Sequence, residues 1–185
     1  MRTLEDAWTW YDQNRTLLNM MKRLGARYWA ELPWDGKLGN DDEFRLLAGD
    51  QIRDMAQGVL EEFDDFAVFM IFSVFESIVR GEVADTLQPE IDSLQHPALQ
   101  RSAKTLLRNL AEGSFHNNVL ELFKRDGREP ENQPINSLVE EVSRVRRYRN
   151  WVAHGRKAAE QPKPINPRSA YDTLQAFLSH IRRAD

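Results

Sequence analysis

The chain has 185 residues, 41% hydrophobic and 29% charged, with a net charge of −4, which is ordinary globular usage, enough for one domain and far from disorder. It has no cysteine, which excludes disulfides, thiolate metal sites and thiol catalysis. An acidic chain has no overall field to draw in a nucleic acid, so any RNA binding has to come from a local patch.

The first residues carry Glu5, Asp6, Trp8 and Asp12, which interrupt any signal-peptide core and point to a cytoplasmic protein. Helical periodicity predicts a first helix from about Leu4 to Leu32, with Trp8, Tyr11, Leu17, Met21, Leu24 and Tyr28 on its apolar side. Residues 33–49, with three glycines and a run of acids, read as a long polar loop. A second helix is predicted over about Gln51 to Arg80, bent near Asp64-Asp65 and weakened at Gly81. Its run Phe66 to Phe75 is too short for a membrane span and reads as buried helix or dimer interface. A third covers about Pro97 to Glu112, stopped by Gly113, and a short one covers Ser114 to Lys124, closed by Asp126-Gly127. Residues 128–134 read as a polar loop. A helix then starts at Asn136 or Ser137 and ends near Gly155. The proline-rich stretch 160–167 is a loop, and a final helix spans about Arg168 to Arg183. No segment alternates like a strand. The expected fold is all-α, a bundle of about five to six helices in one domain, 1–185.

The densest basic region is Arg144 to Lys157, with six cations in fourteen residues. Arg146, Arg147, Arg156 and Lys157 are candidate phosphate contacts, and Tyr148 is a candidate base-stacking ring. The alternative for such a run is a solvated helix face paired with Glu140 and Glu141. At 100° per residue, Leu138, Val142, Val145 and Val152 share a stripe with Arg149 in its middle. A permanent charge on an apolar stripe needs a cleft, a subunit interface or a buried partner, and Glu76 is the candidate partner. His154 lies five residues on, 140° away on a straight helix, whereas Asn150 and Arg147 share its face. Arg149 and His154 can therefore meet only if the helix distorts before His154 or if two protomers share one site.

The segment Arg149-Asn150-Trp151-Val152-Ala153-His154-Gly155 resembles the R-x4–6-H signature of the HEPN superfamily, in its R-N-x-x-A-H-G form. A bare R-x4-H pair arises by chance roughly 0.4 times in a chain of this composition, the extended form roughly 0.001 times. The detailed match covers about ten residues, Tyr148 to Lys157. The resemblance implies a HEPN-type helical domain and a metal-independent endoribonuclease with no cofactor, of the kind found in toxin–antitoxin, phage-defence and CRISPR-associated systems. It implies catalytic roles for Arg149 and His154, with Asn150 orienting the histidine or the phosphate; Glu76 enters from the residues alone, as the candidate partner of Arg149. It also implies a homodimer with a composite active site, RNA as substrate, and an antitoxin or defence-system partner. A subset of the family has a modified tyrosine two residues after the histidine; here that position is Arg156, which puts such modification in doubt. The alternative is a catalytically silent HEPN-like module that binds RNA or protein. His96, His116 and His180 have no spacing suited to a metal.

Overall fold

Helix is the only regular secondary structure among the described residues of the computed structural model, which are residues 1–125, 129, 132–157 and 161–182. Six α-helices follow in chain order: α1 (Leu4–Arg23), the single turn α2 (Asp42–Arg45), α3 (Gly49–Ser93), α4 (Pro97–Glu112), α5 (Gln133–Ala153) and α6 (Pro167–Ile181). The expectation of an all-α fold without sheet holds for the described residues. No helix among the described residues is long and apolar enough to cross a membrane. The expected closure at Asp126-Gly127, part of the 128–134 loop, residue 160 of the proline-rich loop and the Arg183 end of the last helix lie outside the described residues.

The chain falls into two compact units, residues 8–67 and residues 1–7 with 68–185. In the first, α1 runs beside the start of α3. The helical path continues past Arg23 as expected, but its pitch changes, to a π-helical turn over Leu24–Tyr28 and a 3-10 turn over Trp29–Glu31. Gly25 sits at that change, so close to Gly49 that a β-carbon on it would collide with the Gly49 carbonyl oxygen and lie 2.7 Å from the Arg53 nitrogen. The polar stretch after it folds into a 3-10 turn at Leu38–Asn40 and α2, whose first turn is capped by the Asp41 carboxylate. Asp64 accepts hydrogen bonds from Tyr11 Oη at 2.6 Å and Arg15 Nε at 3.1 Å. Leu17, Met21 and Tyr28 are exposed rather than buried.

The main correction concerns α3. It does not weaken at Gly81 but runs on to Ser93, through Pro89, for 45 residues in all. Proline removes one intrahelical hydrogen bond and disfavours a helix interior. Packing overrides that preference here, because Val79, Val83, Leu87 and Ile91 repeat every four residues and all four are buried or half-buried. Gly25 and Gly81 are consequently expected to respond oppositely to alanine. At Gly81 a β-carbon would have no heavy atom within 4 Å, so Gly81→Ala is expected to stabilise by up to ~1 kcal/mol through helix propensity. Gly25→Ala forces two backbones apart and is expected to cost ~1–3 kcal/mol. Urea unfolding of the two variants reads both signs, and a stabilised Gly25→Ala would refute the close approach.

In the second unit the core is aromatic and branched. Phe72, Phe75 and Val79 of α3, Val139 and Val142 of α5, and Leu174 and Phe177 of α6 are fully buried. Phe75 meets Phe115 and Phe177 edge-on at 5.9 Å and 5.6 Å between ring centres. Phe115 belongs to a π-helical turn, Phe115–Val119, followed by a 3-10 turn, Leu120–Phe123, where a short helix was expected. Leu4 and Ala7 of α1 are buried too, and Tyr171 Oη donates to Glu5 Oε2 at 2.5 Å. α6 packs along α5, which holds the basic face of α5 on a rigid support.

Candidate functional site

The helix α5 starts at Gln133, ahead of the expected Asn136 or Ser137, with Pro134 in its first turn, where a missing N–H costs nothing. Its inward positions Val142, Val145 and Tyr148 are buried, and Arg149 follows on that same side, as the stripe predicts. The far end is sharply defined. The Gly155 N–H donates to the Val152 carbonyl at 3.2 Å and the Arg156 N–H to the Trp151 carbonyl at 2.9 Å. That pair of bonds is a Schellman termination, with Gly155 left-handed at φ 80°. Arg156 is left-handed as well, at φ 55°, so the chain turns away sharply. The Trp151 indole then donates to the Lys157 carbonyl at 2.9 Å and pins the departing chain.

The termination decides where His154 goes. His154 is the C-cap, and its N–H still bonds the Asn150 carbonyl at 3.0 Å. Helical geometry therefore persists to the histidine, and the helix break comes one residue too late to swing it towards Arg149. The His154 side chain is exposed and makes no hydrogen bond or ion pair among the described residues. Because Gly155 holds a conformation in which a β-carbon is strained, Gly155→Ala is expected to cost ~1–2 kcal/mol and to fray the last turn that carries His154. Gly155→Asn, which tolerates left-handed backbone, is expected to cost less. Thermal unfolding of the two variants makes the comparison, and equal melting points would count against it.

Arg149 faces the other way. Its guanidinium carbon lies 5.0 Å from the centre of the Phe69 ring and 5.8 Å from that of Phe72. Its Nη1 donates to Asn150 Oδ1 at 3.0 Å. Its Nη2 stands 3.8 Å from Glu76 Oε2, close enough for an ion pair and too far for a good hydrogen bond. The expected partner of Arg149 is thus beside it, but Glu76 is shared. Arg80 Nη2 and Nε donate to Glu76 Oε1 at 2.7 Å and 3.1 Å. Arg146 adds its field to the same carboxylate: burial pulls its guanidinium below its ordinary value, Arg147 and Arg149 push the same way, and Glu76 opposes them. The Nε atoms of Arg146 and Arg149 are both buried without a hydrogen-bond partner among the described residues. One carboxylate therefore pairs with two half-buried guanidinium groups and lies within the field of a third, and this spot carries surplus positive charge in an acidic protein.

Arg80 is a member of the cluster that the motif does not contain. Its only sequence signal is the Glu76-x-x-x-Arg80 spacing, one helical turn. Its Nη1 donates to the carbonyls of Leu110 and Ala111, the latter at 3.1 Å, and Nη2 to that of Gly113 at 2.8 Å. These are the orphan carbonyls at the end of α4. Of the remaining candidates, Arg147 and Lys157 are exposed and Arg156 half-exposed. Tyr148 is only 5% exposed, so the base-stacking role expected for it is corrected: its ring is packed inside, against Trp151 at 5.6 Å. Trp151 is the aromatic of this segment that reaches solvent. Asn150, expected to orient the histidine or the phosphate, accepts at its side-chain carbonyl from Arg149.

Two histidines outside the motif have structural settings. His96 caps α4, accepting from the Ala98 N–H at 3.3 Å. His116 lies 3.4 Å from Ser143 Oγ and 3.6 Å from Glu121 Oε1, a serine–histidine–carboxylate sequence in outline. Ser143 is 5% exposed in the core, out of reach of any substrate, so the group is a packing contact and not a hydrolase site. Among the described residues no three His, Asp or Glu side chains gather as a metal-holding cluster. No family model matches the chain, and no curated protein or solved structure matches it.

Proposed function

We propose that the chain is a HEPN-type endoribonuclease that cleaves RNA without a metal and works as a homodimer, in the class of toxins and phage-defence effectors. The observation that carries this reading is the Arg149-Asn150-x-x-x-His154-Gly155 segment on a rigid helix end, with an exposed imidazole at one point and surplus positive charge at another. The reaction is attack of a ribose 2′-hydroxyl on the adjacent phosphate. A base takes the hydroxyl proton, the phosphorane gains negative charge, and an acid returns a proton to the leaving 5′-oxygen. The products are a 2′,3′-cyclic phosphate and a 5′-hydroxyl. Imidazole suits both proton transfers and guanidinium suits the phosphorane.

A single chain offers His154 and Arg149 on diverging faces of α5. Two copies related by a two-fold axis supply a second histidine on the opposite side of the phosphorus and a second cationic spot. The dimer is part of the proposal, with the end of α5 near the axis. The test compares the wild-type protein with His154→Ala and Arg149→Ala on single-stranded RNA in EDTA. Cyclic-phosphate ends made by the wild type and by neither variant support the reading. Strict dependence on a divalent metal, or a monomer at micromolar concentration by light scattering together with full activity, contradicts it.

One observation favours a second reading, the catalytically silent RNA-binding module. Arg149 already has Glu76, Asn150 and two phenylalanine rings around it, as a structural arginine does. RNA binding without cleavage by any form of the protein decides for that module.

A further inference from the structure

The segment 161–166 brings the chain back alongside α5 before α6 begins. Between them lies a cavity of about 650 Å³. Arg144 and Arg147 reach it from α5 and Lys163 from the loop, and Glu141 is the one carboxylate on its described wall. Glu141 is already engaged by Arg144 at 3.4 Å, while Arg147 and Lys163 have no ion pair among the described residues. Pro162 and Pro164 flank Lys163 and restrict its backbone, so the lysine is held on a stiff loop. Ser169 and Thr173 supply neutral hydrogen-bonding groups on the α6 side. The Asn166 side chain accepts from the Ser169 N–H at 2.8 Å, so the start of α6 is capped by the protein, and the three cations are what attract an anion here.

The position of this cavity relative to His154 gives it a use. Arg147 precedes His154 by seven residues, two helical turns, which puts both on one face of α5 about 10 Å apart along the axis. Arg144 is a turn further. We propose that the cavity is a phosphate subsite that holds a backbone phosphate of single-stranded RNA, flanking the phosphate attacked at His154. The subsite rests on the ribonuclease reading for what happens at the other end of the strand, whereas its own chemistry, three cations facing one paired carboxylate, stands without it. Pyrophosphate or a mononucleotide carries the same phosphate chemistry, and a length series separates those sources from a strand.

The experiment uses the full chain and 2′-O-methyl RNA, which cannot be cleaved, in a series from dinucleotide to octanucleotide, with binding read by fluorescence anisotropy over a range of salt. Wild-type affinity is expected to rise at least tenfold once the strand is long enough to reach from His154 to Arg144. Lys163→Glu, and separately the pair Arg144→Ala with Lys163→Ala, are expected to lose that gain. The slope of log affinity against log salt is expected to flatten by about 0.7 for each phosphate that is no longer neutralised. Both variants alter exposed side chains, and circular dichroism checks that they stay folded. Identical affinities and slopes in wild type and variants would overturn the subsite. So would tight competition by pyrophosphate with no dependence on strand length, which marks a small-anion site. If no form of the protein cleaves RNA while the length-dependent gain still vanishes in the variants, the ribonuclease reading fails and the subsite stands.

Discussion

His154→Ala is expected to lower RNA cleavage at least ~100-fold, the usual scale for a proton-transfer group, while changing stability by no more than about 0.5 kcal/mol. The separation follows from the position of the residue. The imidazole is exposed and has no side-chain partner among the described residues. What His154 contributes to the fold is its backbone N–H, bonded to the Asn150 carbonyl at 3.0 Å, and alanine keeps that bond. Loss of activity with an unchanged melting curve is therefore a chemical loss. Arg149→Ala is expected to behave differently, lowering both cleavage and stability, because it empties the space over Phe69 and Phe72 and leaves Asn150 without its donor. Retained cleavage in His154→Ala at the wild-type rate would sink the catalytic assignment.

Glu76→Ala is expected to cost about 2–4 kcal/mol, a large share of the stability of a small protein. The residue is 22% exposed, with Arg80 at 18% and Arg149 at 25%, so water reaches the cluster only partly and screening is incomplete. Removing the carboxylate takes the ion-pair partner from Arg80 and Arg149 and the opposing charge from Arg146. Glu76→Gln keeps a carbonyl oxygen for Arg80 and loses only the charge, so it is expected to cost about half as much. Chemical denaturation measures both. Added sulfate or phosphate should recover part of the loss in each variant by supplying the missing negative charge. Equal, negligible costs would show that the arginines are neutralised by solvent.

Much of this arrangement was legible in the sequence, for physical reasons. Apolar residues at helical spacing and the proline and glycine signals placed α4 to the residue and α5 and α6 within a few residues. The stripe that put Arg149 on the inner side of α5 is a property of 3.6 residues per turn, and a helix without distortion kept it. Glu76 was legible as a partner because it directly follows the acid-free apolar run Phe66 to Phe75 of α3. Other features depend on contacts between distant segments and leave no local mark. Nothing near Gly81 or Pro89 in the chain says that α3 continues, since what holds it is the burial of Val83, Leu87 and Ile91. Gly25 looks like any helix-weakening glycine until Gly49 is brought against it. Tyr148 and Trp151 are both aromatic residues in a basic run, and composition does not distinguish them. Helical phase does: Tyr148 sits next to Arg149 on the inner side, while Trp151 is carried round towards solvent.

Arg80 links two things an engineer would prefer to adjust separately. The same guanidinium that closes the end of α4, through the carbonyls of Leu110, Ala111 and Gly113, also occupies one oxygen of the carboxylate that faces Arg149. A variant made to strengthen the positive field by deleting Glu76 would release Arg80 and loosen α4 with it. A variant made to tighten the end of α4 by replacing Arg80 with a neutral cap would leave Glu76 to Arg149 and Arg146 and dampen that field. Improvements in potency and in shelf life therefore pull against each other at this point, and a directed-evolution campaign would be expected to change Glu76 and Arg80 together or not at all.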